Sequence, residues 1–198
     1  GRVSASGPTG GRWGGGGGRI ALHGEVDAGL LSRTQAAGGP ASTSWDVAGA
    51  GTLFVRRPGD VHGELVVDNE GRGRPGFPRE AWTELLGLGT GTIETVGADS
   101  IVDVEADFRH GLSGLWLVVG GDPARAWRVV GNDHHGDSLQ LDVSSRPLDI
   151  VAGESYRGEV RLDKLTVRGK ARLLSTDPIS TAVAPTSETG AELIGRDL

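Results

Sequence analysis

The sequence predicts an all-β chain, and three observations carry that prediction. Short apolar runs with a period of two, each bounded by Gly, Pro, Asn or Asp, recur along the chain. Glycine accounts for 35 of the 198 residues, far above a usual ~7%, without the G-X-Y period of collagen. Only one stretch offers a helical alternative.

In chain order, the first strand signal is RIALHGEV, which puts Ile20, Leu22 and Val26 on one face and Arg19, Ala21, His23 and Glu25 on the other. Five glycines, Gly14 to Gly18, run straight into it with no polar spacer. The tract therefore reads as a tightly packed crossing rather than a flexible linker. GTLFVRR pairs Leu53 with Val55, GELVVDN pairs Leu65 with Val67, and residues 58–63 (PGDVHG) between them read as a turn. PREAWTELLGLG reads either as a helix opened by Pro78 or as a strand followed by a turn.

From Gly91 the glycine tracts stop. LWLVV (residues 115–119) is apolar on both faces and reads as a central strand. AWRVVGND ends at a turn, and SLQLDV directs Leu139, Leu141 and Val143 inward. After Gly158, Val160 and Leu162 share one phase, while Leu165, Val167, Ala171 and Leu173 follow in the other. The slip at Asp163-Lys164 predicts a bend or bulge.

GGGGGRIAL, GAGTLFVRRPGDVHGELVVDNEG and DKLTVRGKARLLSTDPI together resemble coils of very large bacterial secreted or surface proteins built as right-handed parallel β-helices. The middle of the chain resembles a different small β module of bacterial surface proteins. The residues carrying that likeness are Asp107-Phe108, Gly111-Leu112, Leu115 to Val119, Trp127 to Asp133, Ser138 to Asp142 and Gly153 to Gly158. The resemblance implies β-helix coils over residues 1–91, an inserted antiparallel β-barrel-like module over 92–157, and a returning strand unit with its tail over 158–198. It carries no catalytic residues.

Composition narrows the function. A formal charge of −6 argues against a nucleic-acid binder, and no apolar run approaches the ~20 residues of a membrane helix. With no cysteine there are no disulfides, no thiolate metal site and no cysteine nucleophile. The chain starts at Gly1 and has no Met, so it reads as a piece of a longer secreted protein, with any signal peptide outside it.

Candidate chemistry is sparse. Asp99, Asp103, Glu105 and Asp107 alternate, so a strand would put them on one face. Such a row offers oxygen ligands to Ca²⁺, but a solvated face opposite Val102, Val104 and Ala106 accounts for it without a metal. Asp133, His134 and Asp137 sit in the turn GNDHHGD, where they could ligate a metal, although Asn, Asp and Gly need none to form a turn. No G-x-S-x-G, H-E-x-x-H or phosphate-loop pattern is present. A polysaccharide hydrolase or lyase would need clustered carboxylates or bases on one wall, and no Asp-Asp pair occurs. Tryptophan is unusually frequent, 5 against 1 Tyr and 3 Phe. Trp116 and Trp127 are expected in the core of the middle module. Trp13 and Trp45, beside glycine-rich loops, are the candidates for stacking on sugars.

These readings predict a non-catalytic structural segment of an extracellular or cell-surface protein: a stalk, fibre or adhesin without a required cofactor. Its partners would be further copies, neighbouring coils of the same parent protein, or surface glycans. The alternative is a carbohydrate-binding or polysaccharide-degrading β-helix.

Overall fold

The computed structural model describes residues 1–8, 15–39, 48–72, 82–133, 136–188 and 190–194. Trp13, Trp45 and His134 lie outside the described residues. The chain is mostly β and divides into two compact units. Among the described residues, one unit takes in those within 1–85, 162–174 and 181–194, and the other those within 86–161 and 175–180.

The first unit opens with β1 (Val3–Ser4), β2 (Arg19–His23), the short helix α1 (Ala28–Ser32), β3 (Thr34–Gln35), β4 (Thr52–Arg56), β5 (Glu64–Asp68) and β6 (Thr83–Leu85). The second contains β7 (Thr90–Thr92), β8 (Thr95–Val96), β9 (Ser100–Val102), β10 (Trp116–Val119), β11 (Ala126–Asn132), β12 (Ser138–Leu141) and most of β13 (Ser155–Leu162). The chain continues through β14 (Lys164–Arg168), β15 (Arg172–Ser175), β16 (Ile179–Thr181), β17 (Thr186–Ser187) and β18 (Glu192–Ile194).

Alternation along β5 and β14 buries Leu65, Val67, Leu165 and Val167 and leaves polar residues between them. The two strands are parallel and in register, Leu65 beside Leu165 and Val67 beside Val167, across 100 residues of sequence. β17 continues this wall in parallel beside β14, and β18 lies parallel beside β15, Arg172 opposite Glu192, 20 residues on. β1 with β3 and β2 with β4 are further parallel pairs.

One pair breaks the pattern. β4 and β5 are antiparallel, with Leu53 opposite Val66 and Phe54 opposite Leu65. A wall of one continuous parallel β-helix has every strand running the same way, and this sheet is mixed. The cause is local. Asp60 accepts the Arg57 N–H through its carboxylate at 2.7 Å and donates its own N–H to the Arg57 carbonyl at 3.1 Å. Gly59 and Gly63 take φ of 93° and 90°, so residues 57–63 close a hairpin.

The glycine-rich segments pack backbone on backbone. Gly39 N–H bonds the Gly15 carbonyl at 2.7 Å, Gly17 N–H bonds Gly49 at 3.1 Å and Gly51 N–H bonds Ala36 at 2.6 Å. A Cβ on Gly17 would collide with the Ala36 carbonyl and the Gly51 amide, and one on Gly51 with the Gly18 carbonyl. Neither residue has a positive φ, so these positions need glycine for space rather than for conformation.

The second unit is a sheet in the order β16-β13-β10-β11-β12-β9-β8, with β7 on β13; the pairs from β13 to β8 and the β7–β13 pair are antiparallel, while β16 runs parallel to β13, Val160 N–H on the Pro178 carbonyl and Ala182 N–H on the Leu162 carbonyl. β10 is interior to that order, and Leu117, Val118 and Val119 are buried. Trp127 joins Ile93, Ile101, Leu117 and Leu139 in the core. Trp116 does not: it is half-buried, with the Arg161 guanidinium 4.6 Å over its ring.

Trp82 is followed by a strand, β6, and not by a helical turn. The helix that does form, α1, follows Asp27, whose carboxylate caps Leu30 N–H at 2.6 Å. The phase expected for the acidic row holds at Asp99, Glu105 and Asp107, which are exposed, and fails at Asp103 and Val104. Ile101 and Asp103 are buried, while Val104 is 62% exposed. The strand ends at Val102 and the chain turns, so the period of two stops applying there.

Candidate functional site

A groove of about 560 Å³ in the first unit is built on the outward faces of β5 and β14. In-register pairing puts unlike charges side by side on that floor. Glu64 meets Lys164 at 3.1 Å and Asp68 meets Arg168 at 2.8 Å, with Val66 and Thr166 between the pairs. Arg57 adds a second cation to Glu64 at 3.4 Å, and Arg72 engages Glu70 at the far end. Each acid of the floor is therefore matched. The wall comes from Leu31 and Ser32 of α1, and from Thr34 and Gln35 of β3. Thr34 hydroxyl donates to the Leu30 carbonyl at 2.8 Å, fixing the strand to the helix. The Gln35 side-chain oxygen is buried and accepts no hydrogen bond from any described protein group.

A smaller cavity of about 260 Å³ lies between Gly16, Gly17, Arg19, Trp82 and Glu84. Arg172 stacks 4.0 Å over the Trp82 ring and is held by Glu192 at 2.6 Å. Trp82 thus sits beside a glycine-lined hollow, the setting in which the sequence pointed to Trp13 and Trp45.

The acidic residues of the middle module meet through their backbones. Asp103 N–H bonds the Asp137 carbonyl at 2.8 Å, and Phe108 N–H bonds Gly136 at 2.7 Å, so the two acidic segments lie side by side. Their carboxylates brace turns. Asp103 is 4% exposed, accepting the Tyr156 hydroxyl at 2.8 Å and the Glu105 N–H at 3.1 Å. Asp133 accepts Gly136 N–H at 2.9 Å. The Asp107 carboxylate lies beside Gly136, and Glu105 is exposed. Among the described residues, no three His, Asp or Glu side chains converge as a metal ion requires.

Two further buried carboxyls carry no motif. Asp177, 1% exposed, accepts the N–H groups of Leu88 at 2.6 Å and Gly89 at 2.9 Å. Burial pushes its pKa up, against those two hydrogen bonds. Glu159 is also buried. Burial alone would raise its pKa, but hydrogen bonds from Arg161 and Ser180 hold it below the ordinary value. Sequence reading missed both. A lone Asp before Pro178 and a Glu inside an alternating strand look like surface residues until the fold closes round them.

Comparison with known proteins finds no matching family model, no matching curated protein and no matching solved structure. Among the described residues no helix is long and apolar enough to cross a membrane.

Proposed function

We propose that this chain is a non-catalytic structural segment of a large extracellular or cell-surface bacterial protein, acting as a stalk, fibre or adhesin and associating through stacked β coils. The observation that carries the reading is the in-register parallel stacking of β5, β14 and β17, repeated by β15 and β18. Stacked rungs of this kind bury an inward face only against a neighbour, which suits a load-bearing shaft.

The β4–β5 reversal is compatible with coils of one hand. Leu53 and Val55 are buried on one face of the shared sheet, while Leu65 and Val67 are buried on the opposite face. Strand direction and buried side reverse together at that pair. Reversing both leaves the sense of winding unchanged, so one half of the coil can follow the other on the far side of a common wall. The backbone-packed glycines support the same reading, because a flexible linker has no need of them.

Sedimentation velocity across a hundredfold concentration range, with electron microscopy of the concentrated sample, tests the association. Concentration-dependent oligomers or filaments are expected, and a strict monomer at the highest concentration overturns it. Protease shaving of intact cells producing the parent protein tests the location. Trp82 beside its cavity favours a second reading, contact with a surface glycan, for which a glycan array comparing the wild type with Trp82→Ala is the test.

A further inference from the structure

We infer that the Asp177–Pro178 peptide bond is a self-cleavage site, at which the Asp177 carboxyl attacks its own main-chain carbonyl while the Ser175 hydroxyl holds the carbonyl oxygen. The chain is here its own single-turnover substrate, so the inference stands apart from the stalk reading. Two Asp–Pro bonds occur in the sequence, Asp122–Pro123 and Asp177–Pro178. In both, the leaving nitrogen belongs to a tertiary amide without an N–H, so scission releases a secondary amine and breaks no hydrogen bond donated by that nitrogen.

The surroundings of the two bonds differ. Asp122 is exposed in a turn, its carboxylate accepting the Ala124 N–H at 2.9 Å and its carbonyl the Arg125 N–H at 2.9 Å. Asp177 is buried. Its Oδ2 accepts the Leu88 N–H at 2.6 Å and its Oδ1 the Gly89 N–H at 2.9 Å, which fixes the carboxyl in one orientation. Gly158 closes on that carboxyl, since a Cβ there would collide with Oδ2. The buried Ser175 hydroxyl donates to the Asp177 carbonyl oxygen at 2.7 Å. Beyond the bond, the Pro178 carbonyl accepts the Val160 N–H at 2.9 Å, so the chain is held on both sides of it. Each carbonyl has a donor, but only at Asp177 do donor, carbonyl and carboxyl all lie out of water, where a hydrogen bond to developing charge is worth most.

The step closes a five-membered ring. One Asp177 carboxyl oxygen bonds to the Asp177 carbonyl carbon, and the negative charge that grows on the carbonyl oxygen meets the Ser175 O–H. The carbon–nitrogen bond to Pro178 then breaks, the carboxyl proton passes to the Pro178 nitrogen, and Asp177 is left as a cyclic anhydride. Water opens the anhydride, so one peptide bond and one water give a C-terminal Asp177 and an N-terminal Pro178. Each carboxyl oxygen accepts a single N–H and keeps a lone pair for the attack. Burial favours the protonated carboxyl, which retains the proton the leaving nitrogen needs. After scission, β17 and β18 remain bonded to the stack through Glu188 N–H on Val167 and Glu192 N–H on Ala171, so the nick alone does not release them.

The test is intact-mass analysis of the full chain, kept folded in mildly acidic buffer and sampled over time. Fragments 1–177 and 178–198 are expected to accumulate at least tenfold faster than the products of scission at Asp122–Pro123, and at least tenfold faster than from the same chain unfolded in urea. Hydroxylamine added during the incubation is expected to leave a hydroxamate on Asp177, the mark of the anhydride. Asp177→Asn, which removes the attacking carboxyl, and Ser175→Ala, which removes the donor, are each expected to slow the scission at least tenfold. Both variants are checked for an unchanged folded spectrum. An intact Asp177–Pro178 bond, scission no faster than at Asp122–Pro123, or equal rates in the folded and unfolded chain overturns the inference, because an Asp–Pro bond then shows only its intrinsic lability. So does a Ser175→Ala rate equal to wild type, or a fragment that ends in free acid under hydroxylamine.

Discussion

Leu53 and Val66 face each other across the antiparallel β4–β5 pair, yet only Leu53 belongs to the buried set. Their sequence neighbours Phe54 and Leu65 face each other on the opposite side, and there it is the β5 residue that is buried. Side chains alternate strictly along a strand, so the buried surface changes sides between β4 and β5. Adjacent positions in β5 should then differ sharply in their tolerance. Leu65→Ala is expected to cost about 2–5 kcal/mol, as for other large-to-small core changes. Val66→Ala, on the groove side, is expected to cost about 1 kcal/mol or less. Urea denaturation of the two variants measures the difference, and equal losses would mean that the sheet buries one face throughout.

Two adjacent glycines separate packing from flexibility in the Gly14–Gly18 tract. A Cβ on Gly16 meets nothing within 4 Å, whereas one on Gly17 meets the Ala36 carbonyl and the Gly51 amide. Gly16 is not in the left-handed region, so alanine can adopt its conformation. Gly16→Ala is expected to stabilise by about 0.4–1 kcal/mol, through reduced freedom of the unfolded chain. Gly17→Ala is expected to destabilise by about 3 kcal/mol, the upper range of overpacking, since backbone cannot move aside as a side chain can. Thermal melts of both variants decide it. If the tract were a linker, the two substitutions would behave alike.

Much of the strand pattern was legible because burial follows alternation wherever one face is covered. Leu65, Val67, Leu165, Val167, Leu139 and Leu141 are buried as their phase predicts. The slip at Asp163 is a bend, pinned by the His62 and Gly63 N–H groups on its carboxylate at 3.0 and 2.8 Å. What alternation does not encode is strand direction. PGDVHG announces a turn, but whether that turn rounds a coil or closes a hairpin depends on Asp60 folding back on Arg57. Nor does alternation see across the chain. Asp103 looked solvent-facing because its partner, Tyr156, is 53 residues away. The groove was invisible for the same reason: Glu64 and Lys164 share no motif and meet only through pairing, and Gln35 lines the same groove from a different sheet.

The Asp103–Tyr156 contact gives a third prediction. Burial, reinforced by the Asp103 hydrogen bond, holds the Tyr156 phenol far above its usual pKa, so it remains a donor at every working pH. Tyr156→Phe removes the donor and leaves a buried carboxylate short of one partner. The expected cost is about 1–3 kcal/mol. In the Tyr156→Phe background, Asp103→Asn should cost less than it does in the wild type, because the shared interaction is already gone. A double-mutant cycle by chemical denaturation measures that coupling. Additive losses would show that the two groups merely lie near each other.

Glu159 and Asp177 predict opposite responses to acid. Glu159 titrates below its ordinary value of 4.5 in the folded chain, because Arg161 and Ser180 outweigh its burial. The unfolded chain therefore binds this proton more readily, and the stability it supplies above pH 4.5 is lost as pH falls through the folded value. Asp177 titrates above its ordinary 3.8, because burial outweighs the Leu88 and Gly89 hydrogen bonds. Here the folded chain binds the proton more readily, so stability falls as pH rises through the window above 3.8 and is regained on acidification. Removing each group should tilt the stability–pH curve in opposite directions. Glu159→Gln is expected to flatten the loss of stability between about pH 5 and pH 3, and Asp177→Asn to steepen it. Both comparisons are of slope, so a uniform loss of stability from either substitution does not mask them. Melting temperatures at half-unit pH steps supply the slopes, and a parallel shift of both curves would mean that neither carboxyl titrates as its surroundings dictate.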